Sequence, residues 1–135
     1  MKASRLALGA AIVFVLTGML WGIHMAASGD HAAMPAHAHV NLLGWVSLFL
    51  FGLYYQSAGA LDRSRAAVWQ VSIWIVATVV LAIGVALVTQ GREALGEPFA
   101  TIGSLALVAD VIFFAVLFVR AGRARDVAVA PVAAE

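Results

Sequence analysis

The sequence contains no cysteine and very few charged residues. Without thiols, disulfides, iron–sulfur clusters and thiolate metal sites are excluded. Only 11% of the 135 residues are charged, whereas a soluble domain carries roughly 25%. The net charge of +1 provides no basic surface for nucleic acid. Because the chain is 64% hydrophobic, with a mean hydropathy of +1.00, a lipid bilayer is its expected partner.

The few charges lie between long apolar runs. A helix that crosses a bilayer needs about 20 mostly apolar residues. Four segments meet this requirement: 6–27, 36–60, 66–90 and 99–119. Among all charged residues, only Asp110 lies inside one of them. Because the connections are short, the sequence predicts an all-α membrane four-helix bundle of sequential antiparallel spans. Residues 1–121 are expected to form this domain, and residues 122–135 a loosely ordered cytoplasmic tail.

The basic residues predict the orientation of the chain, because cytoplasmic loops carry an excess of Lys and Arg. Seven of them fall on one side of the predicted spans: Lys2, Arg5, Arg63, Arg65, Arg120, Arg123 and Arg125. Arg92 lies alone on the other side. Both termini are therefore expected in the cytoplasm of a bacterium, with the chain in the inner membrane. A cleaved signal peptide is the alternative for the N-terminus, but its apolar run is long for one.

All four histidines lie in one short stretch, between residues 24 and 39. His24 is near the end of the first span, His31 is in the following loop, and His37 and His39 open the second span. This arrangement places the cluster near the outer, periplasmic face. Ionisable residues in a span are costly and indicate function by default. The alternative is that each ring simply bonds to water or to a neighbouring helix.

Helical geometry divides the cluster. His37 and His39 are two residues apart and project about 200° apart on a regular helix. They therefore cannot share one small metal ion there. His37 and Asn41 are four apart and share a face, so Asn41 is a candidate for positioning a ligand. Gly44 allows close approach, either of a flat cofactor or of another helix.

Residues 37–45, with the sequence His-Ala-His-Val-Asn-Leu-Leu-Gly-Trp, are followed by Gly-Leu-Tyr-Tyr at 52–55. This stretch resembles the second helix of the heme–copper oxidase superfamily catalytic subunit, and the nitric oxide reductase branch most closely. The resemblance implies that His39 is an axial ligand of heme b near the outer membrane face. It implies electron transfer or binding of a diatomic gas, O2 or NO, as the function.

The heme prediction involves further residues. Trp45 is expected to flank the porphyrin and Gly44 to give it room, while His24 or His37 would supply a second ligand, across an oligomer interface if necessary. The resemblance covers about one helix, and the last two spans contain no histidine. Oxygen or nitric oxide reduction is therefore not implied, no catalytic residue is predicted, and the sequence does not decide whether the chain is an enzyme.

Two other functions fit the same histidines. The first is a non-heme copper or zinc site at the outer face, formed by His24, His31, His37 and His39. Three nearby methionines would suit Cu(I) as soft ligands: Met19, Met25 and Met34. The second is a structural subunit of a larger membrane complex. The prediction of heme binding is compatible with a homo-oligomer and with a redox partner.

Asp110 lies near the middle of the last span. Three hydroxyl residues at similar depth are expected to form a polar layer with it: Thr17, Ser47 and Thr78. Such a layer would bond the helices together, or would relay protons. Gly18 and Gly22 form a Gly-x-x-x-Gly pattern, which permits close helix packing and is a candidate oligomer face.

Overall fold

A computed structural model of the chain describes residues 1–129, and the side chains of residues 1–123. Four long helices account for most of this part: α1 (Ala3–Ser28), α2 (Met34–Ser57), α3 (Arg65–Thr89) and α4 (Glu93–Val129). A 3₁₀ turn (Gly59–Arg63) connects α2 to α3. No strand occurs within residues 1–129. The all-α prediction is therefore confirmed, and each helix is long and apolar enough to cross a membrane.

The helix ends follow local chemistry. Gly29 ends α1 with φ of +69°, and Gly91 follows α3 with φ of +76°. Only glycine adopts this left-handed conformation without a steric cost. At the start of α3, the Ser64 hydroxyl accepts a hydrogen bond from the Ala67 amide at 3.1 Å, which satisfies one of the free amides of the first turn.

The last helix differs from its prediction at both ends. It begins at Glu93, six residues before the predicted start, with Pro98 inside its second turn. A proline there removes only one early hydrogen bond. The helix also continues to Val129, so residues 122–129 are helical and do not form the loose tail that was predicted. The rest of the predicted tail, residues 130–135, lies outside the described residues.

Small residues set the packing of the bundle. In α3 and α4, a methyl group on Gly84 or Gly103 would collide with the backbone of the facing helix. Helix α1 packs on α2 in a similar way, with Ala7 and Ala11 fully buried. In the α3–α4 pair, Gly84 meets Ala100 while Gly103 meets Leu81. Close approach through small residues is the usual way in which apolar helices pack in lipid, where hydrophobic burial gives no driving force.

Helix α2 is not a regular α-helix. Its middle eight residues, Val40–Ser47, form a π-helix between two α-helical parts. In a π-helix each amide bonds to the carbonyl five residues back, which is rare and often marks a functional site. The Trp74 indole of α3 donates a hydrogen bond at 2.9 Å to the carbonyl of Leu43 in this segment. A side chain of α3 is thus bonded to the backbone of the π-helical segment.

Candidate functional site

The four histidines do not converge. His37 faces α1, His39 faces a groove beside α3 and α4, His24 is exposed on α1, and His31 is exposed in the loop. Among the described residues, no three His, Cys, Asp or Glu side chains come close enough together to hold a metal ion. The methionines are also dispersed, with Met19 and Met34 more than half exposed. The described residues therefore do not form the predicted metal site from several histidines.

His37 belongs to the contact between α1 and α2. Asn41 Nδ2 lies 3.1 Å from His37 Nε2 and 3.0 Å from the His37 carbonyl oxygen. Trp21 packs edge-on against the imidazole, with ring centroids 6.3 Å apart. The predicted pairing of His37 and Asn41 on one face is confirmed. The Asn41 amide packs against the imidazole ring, within 3.5 Å of both ring nitrogens, so the pair forms part of the contact between α1 and α2.

The Gly-x-x-x-Gly pattern packs within the chain. A methyl group on Gly18 would collide with the Asn41 carboxamide, and one on Gly22 would lie 3.2 Å from His37 Cε1. The absence of side chains at these two positions makes room for the polar pair. The expectation of an oligomer face there is wrong, because α2 of the same chain covers the pattern.

His39 projects to the other side of α2. Its Nδ1 lies 2.7 Å from the Pro35 carbonyl oxygen. A carbonyl only accepts, so Nδ1 carries a proton, and in the neutral ring Nε2 is the nitrogen with the free lone pair. The ring is half-buried and lines a groove of about 370 Å³ between α2, α3 and α4. The other lining residues are Ala38, Leu42, Leu43, Leu81, Ser104 and Leu107.

Two residues expected beside a cofactor are placed elsewhere. Gly44 packs against the Phe14 ring of α1, so it serves helix packing and gives no room at the groove. Trp45 is 41% exposed and is not part of the groove lining. Neither residue therefore lines the groove that His39 faces.

Asp110 belongs to a buried polar chain that the sequence analysis missed. The Tyr55 hydroxyl donates to Gln70 Oε1 at 2.8 Å, and Gln70 Nε2 donates to Asp110 Oδ2 at 2.6 Å. All three side chains are at least 98% buried. The chain connects α2, α3 and α4, while Asp110 Oδ1 has no hydrogen-bond partner. The only available signal was Gln70 itself, an amide inside an apolar run.

The expected polar layer around Asp110 does not form. Thr17 and Ser47 donate their hydroxyls to carbonyls of their own helices, Val13 at 2.8 Å and Leu42 at 2.9 Å. The Thr78 hydroxyl is buried without a partner. A hydroxyl in a helix readily bonds to a carbonyl one turn earlier, so equal depth alone did not bring these groups together.

At the end of the bundle opposite the histidines, one carboxylate connects the 3₁₀ turn to the start of α1. Asp62, in the 3₁₀ turn, is 4% exposed and accepts a hydrogen bond at 2.8 Å from the Ser4 amide in the first turn of α1. Lys2 Nζ lies 3.9 Å from the same carboxylate. Asp62 therefore caps a helix that has no side-chain cap of its own.

Comparison with known proteins adds no relative: no protein-family model, no curated protein and no solved structure matches this chain.

Proposed function

We propose that this chain is a membrane heme b-binding protein in which His39 Nε2 is the axial ligand. The observation that carries the proposal is the 2.7 Å hydrogen bond between His39 Nδ1 and the Pro35 carbonyl. A histidine that binds a metal almost always donates its other ring N–H to a carbonyl or carboxylate, which fixes the tautomer and the ring orientation. His39 has this arrangement before any metal is bound.

The groove suits an apolar macrocycle. Four leucines and an alanine line it beside His39, and no charged side chain does so. A cofactor site is typically a mostly apolar cleft with few polar groups that fix orientation. The π-helix begins at Val40, directly after the proposed ligand. When bound, heme supplies one-electron transfer or binding of a diatomic gas.

The proposal includes an orientation in the bilayer. Lys2 and Arg63 lie at the end of the bundle that Asp62 closes, whereas His39 lies at the opposite end. By the excess of basic residues near cytoplasmic span ends, the Asp62 end would face the cytoplasm and His39 the periplasm of a bacterial inner membrane. A cysteine at Ala32, in the α1–α2 loop, should then react with a membrane-impermeant thiol reagent on intact cells, and one at Ala60 should not.

Spectroscopy tests the heme proposal. The chain is expressed with abundant heme, purified in detergent and reduced with dithionite. We expect Soret and α bands that are lost in His39→Ala. His31→Ala is the matched control, since His31 Nδ1 also lies near a carbonyl, that of Gly29 at 3.0 Å, but the ring is exposed in a loop. Absence of both bands in the wild type refutes the proposal, and bound copper or zinc that depends on His39 would favour the non-heme alternative.

A further inference from the structure

The carboxyl group of Asp110 is buried in the bundle without a counter-ion. Its side chain is 2% exposed, and no Lys, Arg or His nitrogen among the described residues lies within 4.0 Å of its oxygens. Oδ2 accepts a hydrogen bond from Gln70, whereas Oδ1 is buried without a partner. An isolated carboxylate in an apolar interior costs so much free energy that such a group takes up a proton instead.

The helices packed around Asp110 supply no cation for it. Helix α3 has no charged or titratable residue after Arg65, and α4 has none within nine residues on either side of Asp110. Helix α2 contributes the phenols of Tyr54 and Tyr55, which are neutral at physiological pH. The chain Tyr55–Gln70–Asp110 offers four side-chain oxygens, whereas Ca²⁺ and Mg²⁺ take about six or more oxygen ligands. A proton is therefore the cation that suits the site.

The Gln70 carboxamide can serve both protonation states of Asp110. As described above, its nitrogen donates to Asp110 Oδ2 and its oxygen accepts from the Tyr55 hydroxyl, which suits an ionised carboxyl group. A half-turn of the amide exchanges its two ends. The amide oxygen then accepts from a protonated Asp110, and the amide nitrogen donates to the Tyr55 oxygen. The site keeps two hydrogen bonds with or without the proton.

This polar chain lies apart from the His39 groove. Gln70 is about 7.5 Å along α3 from its first residue, and Tyr55 is two residues before the end of α2. Both positions are toward the Asp62 end of the bundle, whereas His39 is near the opposite end. None of the three side chains lines the groove. Proton binding here therefore does not depend on heme.

We propose that Asp110 is a proton-binding site in the membrane interior, where its carboxyl group holds one proton and exchanges it with water. Gln70 is a positioning residue whose amide reorients as the proton is gained or lost, and Tyr55 is its second partner. The site would let the chain carry a proton among apolar helices without burying a net charge.

Infrared spectroscopy of the full chain in lipid vesicles detects such a proton directly, because the carbonyl stretching band of a protonated carboxyl group is separate from the amide bands. At about pH 6, where an exposed Asp carboxyl group is ionised, we expect this band in the wild type and its loss in Asp110→Asn. Asp62→Asn is the matched control and should keep the band, because Asp62 is also buried but has Lys2 Nζ at 3.9 Å. Absence of the band from the wild type, or its survival in Asp110→Asn, would overturn the proposal.

Transfer of the wild type to D2O tests exchange and needs no variant. The band should move to lower frequency as deuterium replaces the proton, and a band that does not move would mean a permanently enclosed acid, which also overturns the site.

The role of Gln70 is tested separately. In Gln70→Leu the band should move to higher frequency, because the Asp110 carboxyl group loses its hydrogen bond. Gln56→Leu is the control, since this side chain is exposed, and it should leave the band in place. An unmoved band in Gln70→Leu would exclude Gln70 as the positioning residue.

Discussion

The buried chain Tyr55–Gln70–Asp110 gives the sharpest stability prediction. Gln70 bonds at both ends of its amide, to a phenol at 2.8 Å and to a carboxyl at 2.6 Å. Gln70→Leu conserves most of the side-chain volume but leaves the Tyr55 hydroxyl and both oxygens of Asp110 without partners. A buried polar group that loses its partner costs about 1–3 kcal/mol. With two such groups, we expect a loss of about 2–6 kcal/mol in the free energy of unfolding.

A double substitution separates the lost hydrogen bonds from lost packing. When both partners become apolar, the unsatisfied group disappears. Gln70→Leu combined with Asp110→Leu should therefore be less destabilising than the sum of the two single variants, by about 1–2 kcal/mol. Gln56→Leu is the control, because the Gln56 side chain is exposed. It should change stability by less than about 0.5 kcal/mol.

The assay is reversible unfolding in mixed detergent micelles, monitored by tryptophan fluorescence and helical circular dichroism. Two results would refute the reasoning. One is a cost for Gln70→Leu that equals that of the exposed control. The other is strict additivity of the double variant, which would mean that Gln70 and Asp110 contribute independently and that the 2.6 Å hydrogen bond between them has no net effect on stability.

Three further predictions concern the packing and the ends of the helices. Trp74→Phe removes the donor to the Leu43 carbonyl and should cost about 1–2 kcal/mol, with faster amide exchange confined to residues 40–47 as the specific readout. Gly18→Ala should lower the free energy of unfolding by about 1–3 kcal/mol because the added methyl group overlaps Asn41. Gly9 has open space around it, so Gly9→Ala should raise the free energy of unfolding by about 0.5–1 kcal/mol. If chemical unfolding showed Gly18→Ala to be the more stable of the two variants, that result would contradict the packing of α1 on α2. Asp62→Ala should cost about 1–2 kcal/mol and increase amide exchange in the first turn of α1, and unchanged exchange there would count against the cap.

The sequence predicted the positions of the helices well because a charged side chain is costly inside a bilayer. Fourteen of the fifteen charged residues lie outside the predicted spans, and the structure places three of the four helices within three residues of the predicted bounds. The early start of α4 was missed because Pro98 indicates a break locally. Packing of α4 against α3 compensates for the hydrogen bond that Pro98 removes, since Gly96 allows the α4 backbone to approach the α3 backbone at Gly84.

Side-chain partners were predictable only within one helix. The spacing of four between His37 and Asn41 determined their pairing, as the structure confirms. The partner of Asp110 was not predictable, because Gln70 is forty positions away and the choice depends on the rotation of two helices. The sequence also did not predict the π-helix, in which the Leu43 carbonyl accepts a hydrogen bond from Trp74 on another helix.

The contact between Asp62 and the Ser4 amide imposes an order of events during synthesis. The group that completes the first turn of α1 is encoded fifty-eight residues later, so the ribosome has already made α1 and α2 before this cap exists. Until residue 62 has been made, the Ser4 amide lacks the carboxylate that caps it in the folded chain. The start of α1 therefore reaches its folded arrangement only after α2 has been made.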